Sequence, residues 1–437
     1  MTQIFNKTFM AKASMMASAN FVVFASIAIQ LSLIGTLIGK EYAVAYGAVM
    51  SVAATLAILV TGIMIWQIAQ IAPLHGKLKK APETAKPQII AQITEANNRV
   101  FAYTLAIAIS LFVLWLVIVA FSHLIFAQPA ILVMPLGLSI LFDMLIGPFS
   151  AVLTGRMQLA QKESMVFGRN LLITSLSIGS VLLVAWVVKQ NPDLIVYALP
   201  AIGIFKSLSY LVMTIMFYRK IGGFGTCFKQ QKLTKYLREI RPSGLLKIVA
   251  GAIDGMVFSA VFAFAIAVSA RHSVQDGFVV TLVVAVMRMI VVPSKQFGLV
   301  GGRFYASGAI DSVRTIVASS GLILTLGALV ILPFYIWQHP GKFSTLLLVL
   351  MFAQILLEPF AGVIFGFLKV AAGPGSALWG MLATYLLLAL PGLVLLGFWQ
   401  IASAEIVWTL LFAARLVFTA CTILSLRAFR HRCQVAG

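Results

Sequence analysis

Residues 148–155 read PFSAVLTG, and residues 359–366 read PFAGVIFG. The two octapeptides are 211 residues apart, and each lies in the second half of a long apolar run. Between them, near the middle of the chain, lies the longest polar stretch, 219–244, which reads RKIGGFGTCFKQQKLTKYLREIRPSG. A repeat on both sides of a polar midpoint predicts two related halves joined by a linker.

The octapeptides belong to two of twelve apolar runs of about 20–28 residues, the length that crosses a bilayer as a helix. The chain has 437 residues, of which 61% are hydrophobic and 10% charged. Soluble domains carry about 25% charged residues, so a soluble enzyme, a disordered chain and a disulfide scaffold are excluded. Outer-membrane barrel strands alternate over about ten residues, which excludes that class too. The runs lie near 17–39, 44–71, 100–126, 130–154, 170–188, 194–218, 246–270, 276–302, 315–338, 344–368, 376–399 and 403–426.

The predicted fold class is therefore an all-α integral membrane protein with twelve transmembrane helices in two six-helix lobes. Because six is an even number, both halves have the same orientation, and the repeat is parallel. We expect an N-terminal lobe at 1–218, a cytoplasmic linker at 219–244, and a C-terminal lobe with a short cytoplasmic tail at 245–437. Two such lobes would leave a cleft near mid-membrane for a substrate.

The basic residues predict the topology. The chain has 32 Lys and Arg against 12 Asp and Glu, a net charge of +20. With the N-terminus inside, 24 bases fall in cytoplasmic segments and four in external ones. This bias places both termini in the cytoplasm of a multi-pass inner-membrane protein. It also explains the positive charge without nucleic acid, so the expected partners are membrane lipids and a small amphiphilic substrate, and the chain is expected to be a monomer.

Charged side chains occur inside the predicted spans, where insertion scales assign each a cost of about 2.5–3.5 kcal/mol. Their depth follows from the rise of about 1.5 Å per helical residue. Acids and bases of similar depth pair as Asp143 (fourth span) with Lys206 (sixth), Asp254 (seventh) with Lys295 (eighth), and Glu358 (tenth) with Arg415 (twelfth).

These pairs have two interpretations. They could pin helices together, or an acid could bind a coupling H⁺ or Na⁺ and change partner as the substrate binds. We predict Asp254, Glu358 and Asp143 as ion-coupling groups and their bases as charge partners or substrate contacts. No acid of similar depth is assigned to Arg288. It could share Glu358 with Arg415, face the cleft or contact an anionic group of the substrate.

Prolines inside the spans predict bends, because a mid-span proline frees a carbonyl from its helical hydrogen bond. Pro359 directly follows Glu358, and Pro293 comes two residues before Lys295. We interpret both either as packing kinks or as hinges that move when the carboxylate of the pair is protonated.

Enzyme signatures are missing from the sequence. It has no Walker A motif, its five histidines lack metal-ligand spacing, and no span shows a catalytic constellation. We therefore expect no enzyme activity, no metal and no cofactor apart from the coupling ion.

Several short motifs resemble those of the multidrug and toxic compound extrusion (MATE) transporters. In that family an acidic residue early in the tenth helix is followed by a glycine, a basic residue, a Gly-containing turn and a later Pro-Gly. A Gln and a Gly end the second helix, and the seventh helix often carries an early acid. The matching segments here are Glu358-Pro359, Gly366-Phe367-Leu368-Lys369, Gly373-Pro374-Gly375, Pro391-Gly392, Gln70 to Gly76, and Asp254.

The resemblance implies two lobes in a V and export of amphiphilic organic compounds, including drugs, coupled to Na⁺ or H⁺, with Asp254 and Glu358 as coupling carboxylates. The chain departs from the pattern in two places. The first span offers Asn20 and Gln30 where many members have an aspartate, and Lys369 with Gly373-Pro374 replaces an arginine and a Gly-Asp.

Two alternatives remain. One is a flippase for a polyprenyl-linked oligosaccharide in the wider multidrug/oligosaccharidyl-lipid/polysaccharide superfamily, which would need bases in the cleft to hold a pyrophosphate. Exposure of three or more of these bases to the central cavity would favour the flippase, and burial of the bases against carboxylates within each lobe would favour export of drugs or metabolites. The other is a membrane-embedded enzyme or assembly factor. The bases in question are Arg288, Lys295, Lys206 and Arg415.

Overall fold

The computed structural model describes residues 7–126, 128–160, 162–221, 233–306, 310, 312–372 and 375–436. Every regular element in these ranges is a helix. Twelve of the helical segments are long and apolar enough to cross a membrane, which confirms the predicted number of spans.

The twelve spans are built from single helices or from helices joined end to end. In order, they are Lys7–Leu37; Lys40–Lys80; Lys86–Ala120; Ala130–Ser139 with Leu141–Leu159; Glu163–Gln190; Pro192–Tyr197 with Ala198–Lys220; Pro242–His272; Val274–Ala306; Val313–Gln338; Thr345–Glu358 with Pro359–Val363 and Ile364–Ala371; Gly375–Leu382 with Ala383–Ala389 and Leu390–Phe398; and Ala404–Ala436. Two short helices, Ser122–Ile125 and Leu233–Arg238, lie between spans.

The helices extend beyond the apolar runs at their basic ends. The second helix continues to Lys80 and the third begins at Lys86, whereas the runs predicted 44–71 and 100–126. Lys, Glu, Gln and Ala are good helix formers, so the polar flanks continue the helices past the apolar segments. Hydropathy marks the part of a helix that is apolar and not the full length of the helix.

The chain divides into two compact units, which we call unit 1 (Met1–Ala48 with Ala260–Gly437) and unit 2 (Val49–Ser259). The units differ from the predicted lobes in the first span, in the start of the second helix and in the first half of the seventh helix. The lobe boundaries at 218 and 245 stay a prediction, and residues 222–232 of the predicted linker lie outside the described residues.

In unit 1, the eighth span is the central helix, and small residues let its neighbours approach it closely. A Cβ at Gly35 of the first span would lie 2.6 Å from the ring of Phe278. A Cβ at Gly366 of the tenth span would collide with the carbonyl oxygen of Lys295. Close backbone approach of this kind is the usual packing of small residues in membranes.

In unit 2, the fourth span packs against the second in a similar way. A Cβ at Gly155 would collide with the side-chain oxygen of Gln67. Gly155 and Gly366 are the last residues of the two repeated octapeptides. The repeat therefore preserves a glycine that brings the fourth span onto the second, and the tenth onto the eighth.

Candidate functional site

The pair in unit 2 is a single, partly exposed ion pair. The Lys206 Nζ atom lies 3.6 Å from the Asp143 Oδ2 atom, and the side chains are 20% and 14% exposed. The Ser207 hydroxyl donates a hydrogen bond to Asp143 Oδ1 at 2.7 Å. The predicted pairing of the fourth and sixth spans is confirmed, and its role in coupling stays a prediction.

A break in the fourth span positions Asp143. One helix ends at Ser139 and the next begins at Leu141, so Asp143 lies in a first helical turn. The free N–H groups and the dipole of a helix N-terminus stabilise a negative charge there.

The pair in unit 1 is bidentate and fully buried. The Arg415 Nε atom donates to Glu358 Oε1 at 2.9 Å, and its terminal Nη2 donates to Oε2 at 2.6 Å. The Arg415 and Glu358 side chains are 4% and 0% exposed. Two parallel charge-assisted bonds are stronger than a single contact and fix the orientation of both groups. The predicted pairing of the tenth and twelfth spans is confirmed.

Two further side chains complete this cluster. The Ser294 hydroxyl of the eighth span lies 3.0 Å from Glu358 Oε2 and 2.7 Å from the Val291 carbonyl oxygen, and can donate its one proton to either. Arg415 Nη1 donates to the Tyr385 hydroxyl of the eleventh span at 3.2 Å. We call Glu358, Arg415, Ser294 and Tyr385 the unit 1 cluster.

Wide helical turns position two members of the unit 1 cluster. The residues Pro359–Val363, directly after Glu358, form a π-helical turn, and Tyr385 lies in a second π-helical segment, Ala383–Ala389. π-Turns inside α-helices are frequent at functional sites. Pro359 is the first residue of such a turn, and its role as a hinge stays a prediction.

The cluster also depends on Gly362 in the same π-turn. A Cβ there would collide with Ser294 Oγ and lie 2.9 Å from Glu358 Oε2. A glycine at this position therefore lets the eighth span approach the carboxylate. Pro293, the other predicted hinge, lies inside the continuous helix Val274–Ala306, one residue before Ser294.

Asp254 and Lys295, the third predicted pair, belong to different units. Asp254 is buried, 1% exposed, in the part of the seventh span that belongs to unit 2. Lys295 lies in unit 1, half-buried, with Nζ 5.9 Å from the centroid of the Phe365 ring. Their pairing stays a prediction.

Arg288 is buried in unit 1, 5% exposed, against aromatic rings. Its guanidinium carbon lies 5.6 Å from the centroid of Phe262, which stacks on Trp408 at 6.0 Å. A guanidinium over a ring face is attracted by the ring quadrupole. The role of Arg288 towards a substrate stays a prediction.

Sequence reasoning missed Ser294, Tyr385 and Gly362. A hydroxyl next to a mid-span proline was the signal for Ser294, and a tyrosine in the middle of an apolar span was the signal for Tyr385. The described residues contain no group of three His, Cys, Asp or Glu side chains arranged to hold a metal ion. Gly373 and Pro374, part of the loop resemblance, lie outside the described residues.

No family model matches the sequence, and no curated protein matches it. Solved structures match the fold over nearly the whole chain. The eukaryotic MATE transporter AtDTX14 superposes with a TM-score of 0.65 at 13% identity, covering 96% of this chain and 97% of that one. An inward-facing multidrug resistance MATE family transporter of the MOP superfamily gives 0.64 at 14% identity, covering 95% of each chain.

A third match is a MOP superfamily transporter from Pyrococcus furiosus, for which a reversed polarity of the binding pocket suggests a different function. It gives a TM-score of 0.61 at 14% identity and 98% coverage of both chains. At identities this low, the similarity shows the fold and not the activity. The chain has the twelve-helix fold of the MATE transporters.

Proposed function

We propose that this chain is a secondary active exporter that moves small amphiphilic organic compounds out of the cytoplasm, driven by a gradient of H⁺ or Na⁺. The fold shared with MATE transporters over about 95% of the chain supports it. Solved relatives in this fold include a MATE in complex with Br-NRF and one in complex with MaL6. A membrane potential of about 100 mV supplies about 2.3 kcal/mol per charge moved, which can drive export without ATP.

The state of the bases favours export over lipid-linked oligosaccharide flipping. A flippase of that kind needs basic side chains that are available to a pyrophosphate. Lys206 and Arg415 are instead held by a carboxylate of their own unit. Two of the four candidate bases are thus already neutralised, and this observation carries the proposal.

The coupling ion is assigned to Asp254 first and to Asp143 second. An acid that couples transport has to bind and release its ion in each cycle. Glu358 is held by two charged hydrogen bonds from Arg415, so exchange there breaks the strongest of the buried contacts described above. Asp254 is a buried acid in the seventh span, and Asp143 has a longer, partly exposed contact.

The proposal is tested by efflux of a fluorescent amphiphilic cation from proteoliposomes under an imposed proton or sodium gradient. We expect gradient-driven transport by the wild-type protein and its loss in Asp254→Asn. Asp193→Asn changes an exposed acid at a helix start and serves as the matched control, with full transport expected. Full gradient-driven transport by Asp254→Asn would refute the assignment, and gradient-independent movement of a pyrophosphate-linked lipid would favour a flippase.

A further inference from the structure

The unit 1 cluster has the oxygen atoms of a small-cation site. Glu358 presents both carboxylate oxygens, and Ser294 and Tyr385 each present a hydroxyl oxygen. These three side chains come from the tenth, eighth and eleventh spans and are 0%, 0% and 2% exposed. Carboxylate and neutral oxygen ligands are the set that hard cations such as Na⁺, Mg²⁺ and Ca²⁺ prefer.

In this chain the position of the cation is taken by the Arg415 guanidinium. Its nitrogens bond to both oxygens of Glu358 and to the hydroxyl of Tyr385, so three of the four oxygens face the same positive group. Its central carbon also lies 5.0 Å from the centroid of the Phe418 ring, whose π-face favours a cation. The guanidinium is thus surrounded as a bound ion would be.

Charge balance argues that the cluster takes no second cation. It holds one carboxylate and one guanidinium, and both are removed from water. An added ion would leave a buried positive charge without a counter-charge, which is strongly unfavourable in a low dielectric. As long as the guanidinium is in place, a metal ion or proton that reaches Glu358 has to displace it.

We propose that Arg415 is the tethered cation of a small-cation site formed by Glu358, Ser294 and Tyr385, and that removing its guanidinium opens this site to Na⁺ or H⁺. Glu358 then acts as a positioning group that holds the tenth and twelfth spans together, and the coupling ion binds elsewhere. Only this last consequence rests on the proposed function, because the site itself is tested by stability and not by transport.

The test compares the wild-type protein, Arg415→Met and the double variant Glu358→Gln/Arg415→Met in detergent. Thermal unfolding is followed while NaCl replaces choline chloride at constant ionic strength, and again while the pH is lowered in choline chloride. An ion that binds the folded state raises the unfolding midpoint as its concentration increases. We expect a rise of several degrees with sodium or with acid in Arg415→Met, and no such rise in the wild type or the double variant.

Two outcomes would overturn the proposal. The first is an Arg415→Met protein whose midpoint changes with neither sodium nor acid. The second is a wild-type protein that gains as much from sodium as Arg415→Met does. If Arg415→Met cannot be purified, binding of radioactive sodium to the wild type and to Glu358→Gln decides. Equal signals support a site that is already filled, and a signal that Glu358→Gln abolishes refutes it.

Discussion

The two confirmed ion pairs join equivalent spans of the two halves and differ in almost every physical respect. Asp143 and Lys206 make one contact at 3.6 Å with 14% and 20% of their side chains exposed. Glu358 and Arg415 make two contacts at 2.6 and 2.9 Å with 0% and 4% exposed. The Glu358–Arg415 pair is the stronger one, because its contacts are shorter, it has two hydrogen bonds and water is excluded from it. The Asp143–Lys206 pair can therefore exchange its partner more easily.

The two pairs differ because their acids lie about one helical turn apart in the repeat. At the 211-residue offset of the octapeptides, Asp143 aligns with Gln354, and Glu358 aligns with Gly147. The acid of unit 2 thus lies four residues nearer the start of its span, next to the break at Ile140. The acid of unit 1 lies at a π-turn, where Gly362 brings Ser294 onto the carboxylate.

The largest expected effect is the loss of one partner of the buried pair. Glu358→Gln and Arg415→Met should each destabilise the folded protein by about 3–5 kcal/mol, because each leaves a buried charge uncompensated. The double variant should lose much less than the sum. Urea or thermal unfolding in detergent micelles without sodium gives the stability of the wild type, the two single variants and the double variant. If the losses of the single variants add up in the double variant, the two groups do not act as a pair.

The next prediction concerns Gly362, which lets the eighth and tenth spans approach closely enough to exclude water from the unit 1 cluster. Gly362→Ala should destabilise by about 1–3 kcal/mol, because the new methyl group has to push Ser294 and the carboxylate apart. Gly327→Ala is the matched control, since a Cβ there meets nothing within 4 Å. Unfolding midpoints measure both variants, and equal midpoints would mean that Gly362 is not needed for the packing.

Variants of the unit 2 pair should lose less stability than variants of the unit 1 pair. Asp143→Asn and Lys206→Met should each cost about 1 kcal/mol, between the values for exposed and buried pairs. Asp143 keeps its bond from Ser207 and partial contact with water, so neither variant leaves a dry, isolated charge. A loss as large as that of Glu358→Gln, measured in the same unfolding assay, would remove the contrast between the two pairs.

The sequence predicted the pairs because depth depends only on residue count along a helix. It did not predict their strengths, which depend on side-chain direction. Ser294 and Lys295 are neighbours in sequence, and successive helical residues point about 100° apart. Ser294 therefore reaches Glu358, while Lys295, chosen for its charge, lies by Phe365.

The π-turns could not be predicted from apolar periodicity either. A π-turn adds a residue to a helical turn and rotates the side chains that follow by about 100°. Tyr385 lies in such a segment and reaches Arg415 on the twelfth span. The twelve spans follow from hydropathy alone, but the composition of the unit 1 cluster depends on these local rotations.

The smallest effect is expected from His339, which lies between the ninth and tenth spans. His339 is buried, and its Nε2 atom forms a 2.7 Å hydrogen bond with the Ser32 hydroxyl of the first span. Tyr335 and Phe343 pack around its ring. Burial disfavours the charged imidazolium and Lys342 repels it, so the pKa of His339 is lowered from its ordinary 6.5.

A histidine with a lowered pKa binds fewer protons in the folded chain than in the unfolded one. Its contribution to stability is therefore complete above about pH 6.5 and is lost as the pH falls through the lowered value, with a slope of at most about 1.4 kcal/mol per pH unit. His339→Gln keeps a hydrogen-bonding group towards Ser32 and cannot titrate, so its stability should fall less than that of the wild type below about pH 6.5. Unfolding midpoints measured across this range test the prediction. Parallel curves for the two proteins would contradict a role of His339 in the acid response.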